Sequence, residues 1–165
     1  MTRTLSPPFR VLFLCTHNSA RSQIAEALLG ARGGGRFVAA SAGSDRAPTV
    51  HPMVVELLAS LGIDRRGRRP RGLEAVAEER WDLVITVCDR ARESCARLPG
   101  RPLAAHWGMR DPVAVEGDEA ARRAAFRDTV QILSRRIDLL LALPLEKQRR
   151  LAMGARLRAI AEEEA

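Results

Sequence analysis

The chain has no tyrosine, one lysine (Lys147) and few aromatic residues of any kind. Without rings to stack on, and with no nucleic-acid motif, it offers no platform for bases, so nucleic acid is not an expected partner. No apolar run is long enough to span a bilayer, and Met1 to Arg10 carries no hydrophobic stretch of the signal-peptide type. The expectation is a cytoplasmic protein with no membrane partner. Cysteine is scarce: Cys15, Cys88 and Cys95 are all there is. They form no close pair, and His17, His51 and His106 are scattered, so the spacing of a zinc site is missing and neither metal nor cofactor is expected. In a cytoplasmic protein three such cysteines read as reactive rather than cross-linking. Acidic residues are also short, 20 against 27 lysines and arginines, for a formal net charge of +7. The excess is almost wholly arginine. Its densest cluster, Arg65, Arg66, Arg68, Arg69 and Arg71, lies in a loop with Gly67 and Pro70 and reads as a solvated segment near an anionic substrate.

What is present centres on Val11 to Ala27, VLFLCTHNSARSQIAEA. The apolar run Val11-Leu12-Phe13-Leu14 reads as a buried strand ending at Cys15. Five residues, Thr16, His17, Asn18, Ser19 and Ala20, then lead to Arg21 and Ser22, where helical spacing begins with Ile24, Ala27 and Leu28. A cysteine at a strand end, a short loop and an arginine opening a helix make an oxyanion site. Loop N–H groups and the helix N-terminus favour negative charge at one spot. The same field favours thiolate over thiol and makes Cys15 a nucleophile near neutral pH. Arg21 offers a planar fork to two oxygens of a tetrahedral anion, Ser22 donates to the sulfur, and Asn18 tolerates left-handed backbone.

At 165 residues the chain is most simply one domain. Residues 1–9 read as a loosely tied leader, 10–143 as the domain, and 144–165 as a helical extension suited to packing or self-association. Within the domain, a helix from about Arg21 to Arg32 is closed by Gly33-Gly34-Gly35. A second strand is expected at Phe37 to Ala40, followed by Ser41-Ala42-Gly43. Pro52 opens a helix with an apolar face of Val54, Leu57, Leu58 and Leu61, and Leu73 to Glu79 has a short helical pattern. Asp82 to Val87 reads as a third strand ending at Cys88, Leu103 to Trp107 as a fourth, and Ala120 to Leu141 as a long amphipathic helix. Strands alternating with helices predict an α/β fold with a parallel sheet and helices on both faces, whose sites lie beyond the strand carboxyl ends. Cys15 and Cys88 both fall there.

Cys88 and Cys95 are seven residues apart. If Ala91 to Leu98 is helical, their separation is about two turns, or ~10 Å. A disulfide needs Cα atoms within about 7 Å, so closing that pair requires the segment to unwind. Hydrolysis of a phosphate ester needs one thiolate, a cationic clamp and a general acid. It needs no further sulfur.

CTHNSARSQ resembles the phosphate-binding loop of the low-molecular-weight tyrosine phosphatase superfamily, and in particular its thioredoxin-coupled arsenate reductases. The resemblance covers about four-fifths of the chain and implies a three-layer fold with a four-stranded parallel sheet, here followed by an extra C-terminal helix. It implies that Cys15 attacks arsenate, that Cys88 attacks the adduct and expels arsenite, and that Cys95 takes over the disulfide and presents it to thioredoxin. Residues 16–22 (Thr16, His17, Asn18, Ser19, Ala20, Arg21, Ser22) would bind the oxyanion, with phosphate or sulfate as competitors. HWGMRDP resembles the family loop that carries the general acid, here Asp111, and the tie between loop asparagine and SAG serine maps to Asn18 and Ser41. Thr16-His17 stands where relatives usually carry a glycine beside the asparagine. Some relatives hold potassium with an acidic side chain before the third helix; the neighbourhood here is Pro70-Arg71, and the expectation is a fixed cation in its place. Two other readings remain open: a phosphotyrosine phosphatase, though no tyrosine is present to grip an aromatic ester, and a thiol-based arsenite-binding or redox-sensing protein.

Overall fold

The structure, a computed structural model, describes residues 7–88, 98, 100, 102–144, 146–151 and 154. Cys95 lies outside them, as do nearly all of the Ala91 to Leu98 segment and most of the C-terminal extension. Four parallel strands, β1 (Phe9–Cys15), β2 (Phe37–Gly43), β3 (Leu83–Thr86) and β4 (Leu103–His106), form one sheet in the order β2-β1-β3-β4. The chain leaves β1 toward β2 on one side and returns to β3 on the other, so the topological switch lies between β1 and β3. Register aligns Phe13 with Ile85 and Leu14 with Thr86, which brings the ends of β1 and β3 side by side.

Successive strand residues face opposite sides of a sheet. Leu12 and Val84 share one face, Phe13 and Ile85 the other, and all four are buried completely, so both faces are covered. That double burial explains why the strands read as unbroken apolar runs rather than alternating ones. β2 is longer than its expected Phe37 to Ala40, because Ser41, Ala42 and Gly43 continue the ladder opposite Phe13, Leu14 and Cys15. Small residues at those positions carry no apolar signal, yet they let the loop after β1 come close.

Helix α1 (Arg21–Arg32) runs through good helix formers and stops at Gly33, whose N–H donates to the Leu29 carbonyl at 2.7 Å. α2 (Pro52–Ser60) starts with proline at its first position and with His51 as cap, Nδ1 accepting from the Met53 N–H at 3.2 Å. Val54 and Leu58 are buried, but Leu61, expected on the same face, lies past the helix end and is half exposed. The segment expected to be helical from Leu73 to Glu79 narrows to a 3₁₀ turn at Leu73–Ala75. α3 (Glu119–Ala142) is capped by Asp118 and buries Phe126, Thr129, Leu133, Ile137 and Leu140, a stripe at three- and four-residue spacing. Burying each of the four apolar side chains contributes about 1.5–3 kcal/mol. After Pro144, residues 146–151 are again helical, tied back by Gln148 Nε2 donating to the Leu140 carbonyl at 2.8 Å. No helix of the described residues is long and apolar enough to cross a membrane.

Candidate active site

The loop from Thr16 to Ala20 leaves β1 at the switch point, and its backbone is pinned from outside. The carbonyls of Cys15, Thr16, His17 and Ser19 accept N–H groups from Ser44, Asp45, Ala47 and His51 at 2.8–3.2 Å. With its carbonyls drawn outward, the loop keeps N–H groups for its interior, and the Asn18 N–H donates to Cys15 Sγ at 3.1 Å. Asn18 has φ of 53°, the left-handed region that Asn adopts more readily than most residues. Gly43 is the other backbone requirement. A Cβ there would stand 2.5 Å from the Thr16 carbonyl oxygen and 2.9 Å from the Asn18 nitrogen, so only glycine lets β2 pass this close.

Asn18 also organises the side chains. Its Oδ1 accepts from the Arg71 N–H at 2.7 Å and from Gln23 Nε2 at 3.0 Å, which turns Nδ2 toward Ser22 Oγ and Ser41 Oγ, both at 2.8 Å. Because Ser22 Oγ accepts from Asn18, its own proton is left for Cys15 Sγ, 2.8 Å away. Burial pushes the Cys15 thiol up from its ordinary value. The Ser22 hydroxyl and the Asn18 and Ser22 N–H groups oppose this, and nearby Cys88 adds to it. The thiolate expected near neutral pH is therefore only partly supported by its surroundings: the hydrogen bonds favour it, but desolvation is larger.

α1 opens at Ala20, which has no side chain to cap it, and no acidic residue stands in its first turn. Its positive end is left for an anion. Arg21 connects three pieces of chain. Nη1 donates to the carbonyls of Met109 (3.2 Å) and Val87 (3.4 Å), and Nη2 lies 3.7 Å from Asp111 Oδ2. Asp111 caps the 3₁₀ turn at Pro112–Ala114 through the Val113 N–H at 3.0 Å, and a pocket above Cys15 is lined by His17, Ser19, Arg21, Asp111 and Val113. The His17 ring is tied to the Asp45 carbonyl at 2.9 Å. Cys88 is buried just beyond β3, and its Sγ lies 3.2 Å from Thr16 Oγ1. So Cys15, Thr16, Asn18, Arg21, Ser22, Ser41, Cys88 and Asp111 are brought together; Cys95 is outside the described residues. A larger apolar groove of about 470 Å³ lies against Trp107 and Leu139, but no nucleophile lines it.

One arginine departs from the expected solvated loop: Arg65 is buried, paired with buried Glu26. Its guanidinium donates to Gln23 Oε1 at 3.1 Å behind the loop, while Arg71 contributes its backbone N–H to Asn18 there. Gln23 and Glu26 escape a reading of the sequence because they sit within a helix whose apolar residues dominate. Their spacing of three, on the same face as the loop, is the signal they carry. Among the described residues no group of histidine, cysteine and acidic side chains could hold a metal ion.

Comparison with known proteins agrees with this geometry. Residues 10–151 match the low molecular weight phosphotyrosine protein phosphatase family. Arsenate reductase of Halalkalibacterium halodurans is 33% identical over 127 residues, which are 77% of this chain and 91% of that one. Arsenate reductase of Bacillus subtilis is 32% identical over 117 residues, 71% of this chain and 84% of that one. Among solved structures, an arsenate reductase from Archaeoglobus fulgidus superposes with a TM-score of 0.66 at 32% identity, covering 81% of this chain and 99% of that one. A thioredoxin-dependent arsenate reductase from Corynebacterium glutamicum gives 0.63 at 29% identity, covering 89% and 64%.

Proposed function

The chain belongs to the low molecular weight phosphotyrosine protein phosphatase family, and from that premise we propose that it reduces arsenate to arsenite through its cysteines. The observation that carries this reading is a second buried thiol, Cys88, at the end of the strand next to the nucleophile's own, linked to the loop by Thr16. Phosphate-ester hydrolysis has no use for it.

Cys15 thiolate attacks arsenic(V), and an arsenate hydroxyl leaves as water after taking a proton from Asp111. Loop N–H groups, the α1 N-terminus and Arg21 hold the remaining oxygens. Cys88 thiolate then attacks Cys15 Sγ. The sulfur–arsenic bond breaks with its electron pair staying on arsenic, which departs as arsenite, and a Cys15–Cys88 disulfide remains. Two thiols have supplied the two electrons. Cys95 thiolate attacks Cys88, releasing Cys15 and leaving a Cys88–Cys95 disulfide for a protein dithiol of the thioredoxin class to reduce. Each exchange depends on thiolate fraction and access.

The alternative is a phosphatase that uses the same loop, Arg21 and Asp111. Cys88→Ser separates the two. Arsenite production in that variant should fall to background while hydrolysis of a small aryl phosphate by Cys15 persists. Sustained arsenite production by Cys88→Ser would exclude the cascade.

A further inference from the structure

We propose that Arg65 is a built-in cation that positions the anion-binding loop, so that this chain needs no bound metal ion behind its nucleophile. The inference concerns the same loop and rests on Cys15 being its nucleophile.

Arg65 is one of five arginines within seven residues, and its neighbours Arg66, Arg68 and Arg69 are exposed. It alone among those four is turned in and buried. Taking a guanidinium out of water costs several kcal/mol, and an ion pair with a single carboxylate does not reliably recover that. Here the pair is part of a closed ring. Arg65 Nη2 pairs with Glu26 and also donates to Gln23 Oε1 at 3.1 Å. Gln23 Nε2 donates to Asn18 Oδ1 at 3.0 Å and to the Asn18 carbonyl at 3.2 Å. Asn18 Nδ2 donates to Ser41 Oγ, and Ser41 Oγ donates to Glu26 Oε1 at 3.4 Å, which returns to Arg65.

Donation starts at Arg65 and ends at Glu26, which accepts at the end of the Gln23–Asn18–Ser41 path and from Arg65 directly. The guanidinium has only protons to give, so Gln23 must present its oxygen to Arg65 and its amide protons to Asn18. Asn18 must then present Oδ1 to Gln23 and its own protons to Ser22 and Ser41. That leaves the Ser22 proton for the Cys15 sulfur. Gln23 takes its orientation from the cation, and Asn18, held also by the Arg71 N–H at 2.7 Å, passes that orientation on to Ser22 and Cys15. Burial, with Arg68 nearby, pulls Arg65 down to about 10, which still leaves it charged at neutral pH. The oxygens a small monovalent ion would use, those of Glu26, Gln23 and Ser41, are already engaged by the guanidinium or by one another. A metal ion and Arg65 therefore exclude each other.

The test uses thiolate ultraviolet absorbance in a Cys88→Ser, Cys95→Ser background, where Cys15 is the remaining thiol. Arg65→Ala should raise the Cys15 titration midpoint by about one unit, a roughly tenfold loss of thiolate at neutral pH. Potassium chloride should reverse the shift by filling the oxygen-lined space, tetramethylammonium chloride of equal ionic strength should not, and the background protein with Arg65 intact should respond to neither. Gln23→Met keeps the ion pair and cuts the ring. It should fold with a lowered melting temperature, since Arg65 and Asn18 each lose a buried partner, and show the same upward shift, so the assignment stays testable if Arg65→Ala does not fold. An unshifted Gln23→Met profile would overturn it. So would an Arg65→Ala shift that potassium leaves in place, since that would make bulk rather than charge the cause. No arsenate enters the assay, so failure here is separable from failure of the reductase reading.

Discussion

Two opposing effects meet at the Cys15 sulfur. Burial raises its pKa, while the Ser22 hydroxyl and the Asn18 N–H lower it. Ser22→Ala removes the largest of the lowering contributions. The Cys15 titration midpoint, already held above the ordinary thiol value by burial, should move up again in this variant, with arsenite production at neutral pH falling about tenfold. The sign for stability follows from the same shift. A thiol whose folded pKa is raised helps the fold while it is protonated, and that help is lost as pH rises past the unfolded value and through the folded one. Titration of the Cys15-only protein checks both statements; a midpoint below the ordinary thiol value would contradict them. Several of these residues were legible in the sequence, since Cys15, Arg21, Ser22 and Asn18 stand in one contiguous motif. Arg65 was not, because nothing in a run of arginines separates the one that turns inward from those that stay in water.

At the scale of elements, the site depends on β2 passing close behind the loop. Gly43 is where it passes, with its N–H donating to the Arg71 carbonyl at 2.8 Å. Gly43→Ala forces a Cβ against the Thr16 carbonyl, a backbone atom that cannot swing aside. The expected result is a loss of about 2 kcal/mol in stability, by the usual cost of overpacking, together with a large loss of oxyanion binding. Denaturant unfolding and phosphate titration of the variant measure the two. Tight phosphate binding by Gly43→Ala would show that the loop does not need this approach. Element order and type were readable because the strands are continuous apolar runs and α1, α2 and α3 carry proline, glycine and three-to-four spacing signals. Boundaries were less so. The last three residues of β2 are small, and their place in the ladder is decided by pairing with β1 rather than by their own propensity. The turn at Leu73–Ala75 is short for a similar reason: Gly72 bridges to Gly43, which ties the segment to the sheet edge before a helix can extend.

For the molecule as a whole, the switch point of a β2-β1-β3-β4 sheet gathers a thiol from β1, a second thiol from the end of β3, a cation from α1 and a carboxyl from the chain after β4. Ligand binding at such a convergence stabilises the native state through mass action. Phosphate or sulfate at a hundredfold excess over Kd should add about 2.7 kcal/mol and raise the melting temperature. Arg21→Ala should abolish that rise, and its persistence would place the anion elsewhere. In the proposed cascade Cys88 is the thiol placed to act first on Cys15, its Sγ lying 3.2 Å from Thr16 Oγ1 of the same loop. The most direct measurement is a count of free thiols in the fully reduced protein before and after arsenate, with no reductant present. The account predicts the loss of two thiols for each arsenite released, with turnover stopping there until a dithiol is supplied. Three surviving thiols, alongside hydrolysis of a phosphate ester, would contradict it and make the protein a phosphatase.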